Sequence, residues 1–202
     1  MASPTSNAFF NVPNILTAAR FALSVVVFVL IALNHYVAAL VMFIIAASTD
    51  WVDGWWARKY GQVTKLGRIF DPFVDKIIIC GTFIFLAAEP QSGILPWVAV
   101  VVMGREMLVT AIRSVVEGQG GDFSASLAGK WKMLFQCVAV VASLLALSYL
   151  AAARGGGSAG EPLPVWLAYV LPISVGLAVV STLYSGFEYV LAAIKILSRP
   201  GS

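Results

Sequence analysis

The sequence predicts an all-α fold, an integral membrane bundle of six transmembrane helices. Hydrophobic residues make up 60% of the 202 residues and charged residues only 11%, a balance typical of membrane proteins and not of soluble domains. The mean hydropathy of +0.90 agrees with this class. Six apolar stretches are long enough to cross the hydrocarbon core of a bilayer as helices. They cover approximately residues 14–33, 36–60, 69–88, 95–116, 127–152 and 163–197.

The distribution of basic residues predicts how this bundle is oriented. Lys and Arg accumulate in the cytoplasmic loops of membrane proteins. Here they accumulate after the second and fourth stretches and at the C-terminal end, whereas the opposite loops hold only Arg154. Both termini are therefore expected to face the cytoplasm, in a multi-pass protein of the cell inner membrane. The basic residues on the cytoplasmic side are Arg58, Lys59, Lys65, Arg68, Arg113, Lys130, Lys132, Lys195 and Arg199.

One membrane domain is expected, which is the usual number for a chain of this length. It covers residues 13–197, between an N-terminal interfacial segment of residues 1–12 and a C-terminal tail of residues 198–202. The net charge of +3 is small, and no basic stripe is present. We therefore expect the lipid bilayer to be a partner, and no nucleic acid.

Four aspartates lie beside or inside apolar stretches, at Asp50, Asp53, Asp71 and Asp75. Charge at membrane depth is costly, so intramembrane carboxylates indicate a functional site. Each pair is three or four residues apart and shares one helix face. Two facing helices would bring the four carboxylates together, and adjacent anions need cations to compensate them. Because no His or Cys lies close by, Mg²⁺ or Mn²⁺ is expected before zinc.

The helix boundaries around these aspartates are also predicted. Gly61 and Gly67 lie between the two pairs and are expected to end one helix and turn the chain. Asp71 is expected to cap the next helix, with Pro72 at its first position. The third span is expected to begin near Ile69.

Arg20 lies inside the first stretch and has two interpretations. In one, the side chain snorkels to the membrane surface. In the other, the guanidinium faces an anionic ligand. The second is favoured, because Asn14 and Thr17 offer polar side chains on the same side of the helix.

The aspartate segment resembles the signature of the CDP-alcohol phosphotransferases, also known as class I CDP-alcohol phosphatidyltransferases. The resemblance implies a membrane enzyme in which an alcohol hydroxyl attacks the lipid-linked phosphorus of a CDP-alcohol and CMP leaves. It implies that the four aspartates bind two divalent cations, Mg²⁺ or Mn²⁺, and that Asp71 and Asp75 are catalytic, with Asp75 as the general base. The matching positions are Asp50, Asp53, Gly54, Ala57, Arg58, Gly67, Asp71 and Asp75.

The same resemblance implies which residues contact the CDP part of the donor. Glycines lack side chains, so a nucleotide can approach their backbone closely. An arginine adds bidentate contacts to phosphate. The implied donor-binding residues are Asn14, Thr17, Gly54, Ala57, Arg58, Thr64 and Gly67.

The wider sequence resembles bacterial members of the family that use glycerol 3-phosphate as the acceptor. The likeness implies transfer of a phosphatidyl group from CDP-diacylglycerol to glycerol 3-phosphate in phospholipid biosynthesis, and by analogy a homodimer. The acceptor phosphate carries about two negative charges near neutral pH. Positive-inside topology alone explains Arg105 poorly, because this residue lies ten residues into its span. The implied basic pocket for the phosphate consists of Arg105, Arg113, Lys130 and Lys132. The likeness is strongest at Pro13–Thr17 with Arg20, Thr49–Gly54, Asp71-Pro72 with Asp75-Lys76, Gly104–Glu106 with Arg113, and Gly129–Lys132 with Gln136.

Three alternatives remain open on the sequence. The first keeps the family but changes the acceptor to inositol phosphate, serine or phosphatidylglycerol. The second is an intramembrane prenyltransferase, which also uses aspartate-rich magnesium sites. The third is a cation transporter or channel with the aspartates as its ion site. The transporter predicts carboxylates near the membrane midplane, whereas the aspartates here cluster beside tryptophans and a basic loop.

Overall fold

The computed structural model describes residues 12–60, 65–118, 127–155 and 162–197, and these ranges hold helices and no strands. The predicted all-α class is therefore confirmed for the described part of the chain. The six helices are α1 (Val12–Ala32), α2 (Tyr36–Tyr60), α3 (Lys65–Ala87), α4 (Pro96–Gly118), α5 (Leu127–Gly155) and α6 (Val165–Leu197). They form two compact units, Met1–Phe85 and Leu86–Ser202.

In the first unit, α1 packs against α2. The buried residues of each helix recur every three or four positions, so each helix turns one face toward its neighbour. A short turn at Asn34, where φ is 61°, reverses the chain between the two helices. Asparagine tolerates this left-handed conformation better than most residues do. The buried positions are Thr17, Arg20, Ser24, Val27 and Ile31 on α1, and Tyr36, Ala39, Phe43 and Ala46 on α2.

The C-terminal half of α3 also contacts α1. The ring of Phe85 stacks on the ring of Phe28, with 5.1 Å between the centroids. Gly81 leaves the space that the Phe28 ring fills, since a Cβ at this glycine would lie 2.2 Å from Phe28 Cζ. This contact holds the helix that carries Asp71 and Asp75 beside α1.

In the second unit, α6 packs against both α4 and α5. Small buried residues follow one face of α6 at intervals of four, namely Ser174, Ala178, Thr182 and Gly186. Small residues let helix backbones approach closely in membrane proteins. At Gly186 the approach is tight, because an added Cβ would lie 3.2 Å from Cγ of Arg105 on α4.

Two stretches of the described residues are long and apolar enough to cross a membrane, Gly129–Gly155 and Val165–Ile196. Shorter apolar helical stretches occupy Thr17–Ala32, Tyr36–Ser48 and Lys76–Ala87. Large apolar side chains such as Phe187 and Val180 are about two-thirds exposed on α6 (65% and 64%). Such faces are typical of helices that contact lipid.

The predicted start of the third helix is wrong. The helix begins at Lys65, so Gly67 and Pro72 lie within α3, and Asp71 is not its cap. Apolar residues at Leu66, Ile69, Phe70 and Phe73 continue the helical spacing back to the first turn. Pro72 is the eighth residue of α3, where it removes one backbone hydrogen bond without ending the helix. Gly61, the other predicted helix breaker, lies outside the described residues.

The turn before α4 supplies a test of the fold. Gly93 has φ +73°, and a Cβ there would lie 2.8 Å from Leu171 Cδ2. We expect Gly93→Ala to lower the free energy of unfolding by about 1–2 kcal/mol, the cost of a left-handed alanine. Gly176→Ala is the matched control, because nothing lies within 4 Å of that position, and alanine favours the helix by about 0.5–1 kcal/mol. Thermal unfolding in detergent measures both variants, and a Gly93→Ala protein as stable as wild type contradicts the described turn.

Candidate active site

The aspartate motif lies on two helices of the first unit. Asp50 and Asp53 lie in the second half of α2, and Asp71 and Asp75 in the first half of α3. The helical backbone places the members of each pair about one turn apart. The side chains of all four aspartates lie outside the described residues, so their roles stay predictions.

The donor set of this motif suits hard divalent cations. Four carboxylates within 26 residues offer only oxygen ligands, and such ligands favour Mg²⁺ or Mn²⁺. Elsewhere, among the side chains that the structure describes, no group of three or more His, Cys, Asp or Glu residues could hold a metal ion. The chemistry of the four carboxylates thus suits a metal centre, and their role as ligands stays a prediction.

Of the residues expected at the donor, the structure describes the side chain of Thr17. It is buried on α1, and Arg20 is buried one turn later at 3% exposure. This burial favours a guanidinium directed into the protein over one that snorkels into water. The backbone of Asn14 lies in α1, that of Gly54, Ala57 and Arg58 in α2, and that of Gly67 in α3. Their side chains, and Thr64 altogether, lie outside the described residues.

A buried cluster of charged side chains lies in the second unit. The basic cluster, as we define it, consists of Arg105, Arg113 and Lys132 with their partners Glu106 and Tyr189. Nη1 of Arg105 lies 3.3 Å from Oε1 of Glu106, and Nζ of Lys132 donates to the same oxygen. The side chains of Arg105 and Lys132 are each 9% exposed. A single carboxylate oxygen therefore joins α4 to α5.

Tyr189 on α6 completes the basic cluster. Cζ of Arg105 lies 5.4 Å from the centroid of its ring, and Cζ of Arg113 lies 6.0 Å from it. Nη2 of Arg113 donates to the tyrosine hydroxyl at 3.4 Å. Nη2 of Arg105 donates to Oγ of Ser185, one turn earlier on α6. The two arginines are eight residues apart on α4, and the ring of one tyrosine contacts both.

The charges of the basic cluster favour an anionic ligand. Three cations and one carboxylate give the basic cluster a net charge of +2; Glu106 and Lys132 are buried, and Arg105 and Arg113 are partly exposed. Positive charge that is shielded from water favours an anion nearby. Within the described part of the chain, Nε of Arg105 and Nε of Arg113 are buried without a hydrogen-bond partner. Guanidinium groups bind phosphate through paired hydrogen bonds, so the cluster can bind a phosphate with about two negative charges.

The structure thus brings together three of the four residues expected at the acceptor phosphate. The fourth, Lys130, is exposed on α5, and the described contacts leave it outside the basic cluster. A second polar contact lies one turn along α5 from Lys132, where Nε2 of Gln136 donates to Oγ1 of Thr182 at 3.0 Å. The acceptor role of these residues stays a prediction.

Sequence reasoning assigned no role to Glu106, Ser185 or Tyr189. Glu106 follows Arg105 directly, and a buried carboxylate beside a cation is a signal that the sequence does contain. Tyr189 offers no such signal, because α6 also carries Tyr184 in a similar apolar context, and that tyrosine is 66% exposed. Only the packing of α6 against α4 distinguishes the buried Tyr189 from the exposed Tyr184.

The chain is similar to proteins of known name. A family model described as CDP-alcohol phosphatidyltransferase matches residues 10–184. Three relatives are named as a CDP-diacylglycerol–glycerol-3-phosphate 3-phosphatidyltransferase. The one from Bacillus subtilis is 37% identical over 67% of this chain and 77% of its own length. One from Arabidopsis thaliana is 33% identical over 96% and 84%, and one from Rickettsia typhi is 30% identical over 89% and 94%.

The shared carboxylate of the basic cluster can be tested by stability. Glu106→Gln leaves Lys132 and Arg105 buried without their anion, and we expect a loss of about 3–5 kcal/mol in the free energy of unfolding. Glu106→Gln/Lys132→Met removes one charge of each sign, so this double variant should recover part of the loss.

Thermal unfolding in detergent measures these variants. Glu188→Gln serves as the control, because Glu188 is exposed on α6 and its substitution should change stability by less than about 0.5 kcal/mol. Equal stability of Glu106→Gln and Glu188→Gln contradicts the ion-pair arrangement.

Proposed function

The chain belongs to the CDP-alcohol phosphatidyltransferase family, and we propose that it transfers the phosphatidyl group of CDP-diacylglycerol to glycerol 3-phosphate, with release of CMP. The named relatives carry this reaction in their printed names. The observation on this chain that supports it best is the basic cluster with its net charge of +2. Such a cluster suits an acceptor that carries a phosphate monoester.

The proposed reaction forms one phosphorus–oxygen bond and breaks another. The acceptor hydroxyl attacks the lipid-linked phosphorus of CDP-diacylglycerol, and the bond from that phosphorus to the CMP oxygen breaks. Asp75 takes the hydroxyl proton as the general base. CMP leaves with the electron pair of the broken bond, and the lipid product is phosphatidylglycerol phosphate.

The aspartate motif would hold the diphosphate end of the donor. Asp50, Asp53, Asp71 and Asp75 would bind two divalent cations, which when bound offset the charge that develops on the diphosphate. Arg58 would add a fixed positive charge to the nucleotide side. The other proposed donor contacts are Asn14, Thr17, Gly54, Ala57, Thr64 and Gly67.

Charge separates the candidate acceptors. Glycerol 3-phosphate and inositol phosphate each carry about two negative charges near neutral pH, which balance the net charge of the basic cluster. Phosphatidylglycerol is a phosphodiester with a single negative charge, and serine carries no phosphate. The names of the relatives favour glycerol 3-phosphate over inositol phosphate. A cation transporter has no need of a basic cluster. An intramembrane prenyltransferase is disfavoured by the family match and by the names of the relatives.

We further propose that all six helices cross the membrane, with both termini and the aspartate motif on the cytoplasmic side of the inner membrane. The asymmetry of basic residues supports this orientation. Residues 13–197 would form the membrane domain, with residues 1–12 at the interface and residues 198–202 as a tail. By analogy with other members of the family, the active form would be a homodimer.

CMP release by the purified protein tests the reaction. With CDP-diacylglycerol and Mg²⁺ present, we expect release with glycerol 3-phosphate and little with serine, inositol phosphate or phosphatidylglycerol. Asp71→Asn should reduce turnover by at least about a thousandfold, because it removes a metal ligand and catalytic carboxylate. Asp122→Asn is the matched control, since Asp122 is the one aspartate outside the motif. Release with a different acceptor would reassign the substrate, and full activity of Asp71→Asn would exclude the proposed site.

The cation requirement is tested separately. Treatment with a chelator should abolish CMP release, and Mg²⁺ or Mn²⁺ should restore it, because the proposed ligands are all carboxylate oxygens. Zn²⁺ at equal concentration should restore it poorly, since zinc prefers nitrogen and sulfur ligands in a tetrahedral site. Turnover that survives complete chelation contradicts a role for divalent cations.

A further inference from the structure

Tyr189 holds a central place in the basic cluster. Its side chain is 5% exposed, and its ring lies within 6.0 Å of both guanidinium carbons, those of Arg105 and Arg113. Cations are attracted to the face of an aromatic ring, more strongly where water is excluded. Neither the sequence resemblance nor the names of the relatives assign a role to this residue.

The two arginines depend on Tyr189 to different degrees. Arg105 is also held by Glu106 and by Ser185. Among the described residues, the guanidinium of Arg113 takes its hydrogen bond and its ring contact from Tyr189. Arg113 therefore loses more than Arg105 does when the tyrosine side chain is removed.

Two neighbouring guanidinium groups repel each other, and an arginine side chain has many rotamers. Tyr189 opposes both the repulsion and the rotamer freedom. Its ring attracts the two guanidinium groups, and its hydroxyl accepts a hydrogen bond from Arg113. The buried Nε atoms of Arg105 and Arg113 without partners show that the cluster has unused donors. A ligand that meets arginines already held in place gives up less conformational entropy on binding.

We propose that Tyr189 is a positioning residue that holds Arg113 and Arg105 in place for the phosphate of the acceptor. This inference rests on the proposed function, because it takes the basic cluster as the acceptor site. Tyr189 is not expected to touch the reacting phosphorus or the attacking hydroxyl. Its effect is on the affinity for the acceptor and not on the chemical step.

The kinetic test compares Tyr189→Leu, which removes ring and hydroxyl, with Tyr189→Phe, which keeps the ring. CMP release is measured against glycerol 3-phosphate concentration at saturating CDP-diacylglycerol. We expect KM for glycerol 3-phosphate to rise about tenfold or more in Tyr189→Leu and about threefold in Tyr189→Phe. We expect kcat to stay within about twofold, because no interaction specific to the transition state is removed.

Tyr184→Leu is the matched control. Tyr184 lies on the same helix, five residues earlier, and is 66% exposed, so its loss should leave both kinetic constants unchanged. Unchanged KM in both Tyr189 variants overturns the proposal. A fall in kcat as large as the rise in KM for glycerol 3-phosphate also overturns it. An equal rise in KM for CDP-diacylglycerol does the same, because either result indicates a general structural defect. If Tyr189→Leu does not fold, Tyr189→Phe decides by the same criteria.

A binding measurement separates this inference from the proposed function. Inorganic phosphate or glycerol 3-phosphate, without donor, should raise the Tm of the wild-type protein and of Tyr184→Leu, and raise that of Tyr189→Leu much less. If the wild type releases no CMP but shows this pattern, the proposed function fails, while Tyr189 still positions the two arginines for a phosphate. If phosphate protects none of the proteins, or protects Tyr189→Leu as well as wild type, the positioning role is overturned.

Discussion

The structure of the second unit depends on how the charges of Arg105, Arg113 and Lys132 are compensated among apolar helices. A lone ion inside such a bundle would be costly to keep, and three cations enter the space between α4, α5 and α6. Glu106 compensates two of them through one oxygen, and the ring of Tyr189 contacts two of them. The net positive charge that remains is the property on which the proposed acceptor site rests.

Close helix packing makes this compensation possible. The small residues of α6 at Ser174, Ala178, Thr182 and Gly186 allow its neighbours to approach, and at Gly186 the stem of Arg105 lies against the backbone. A longer distance between α4 and α6 would separate the arginine from both Ser185 and Tyr189. The same helix face thus supplies the packing of the unit and the contacts of the charged side chains.

The sequence predicted the class and most helix positions, because long apolar stretches with few charges leave little choice. The second helix covers the predicted residues, Tyr36 to Tyr60. The third helix begins at Lys65 and not near Ile69, because Asp71 and Pro72 lie within the helix and do not start it. Local spacing on α4 predicted that Arg105 and Arg113 would act together. The partners of these arginines on α6 could not be predicted, since a contact between residues about 80 positions apart depends on tertiary packing.

The proposed function depends on one chemical step, the attack of the acceptor hydroxyl on the lipid-linked phosphorus. The most direct test follows the oxygen of that hydroxyl. Glycerol 3-phosphate labelled with a heavy oxygen isotope at its attacking hydroxyl is incubated with the enzyme and CDP-diacylglycerol, and both products are weighed by mass spectrometry. We expect the lipid product to keep the label and CMP to contain none. A product in which the labelled oxygen joins glycerol to the cytidine phosphate, or a lipid product without the label, would contradict this step.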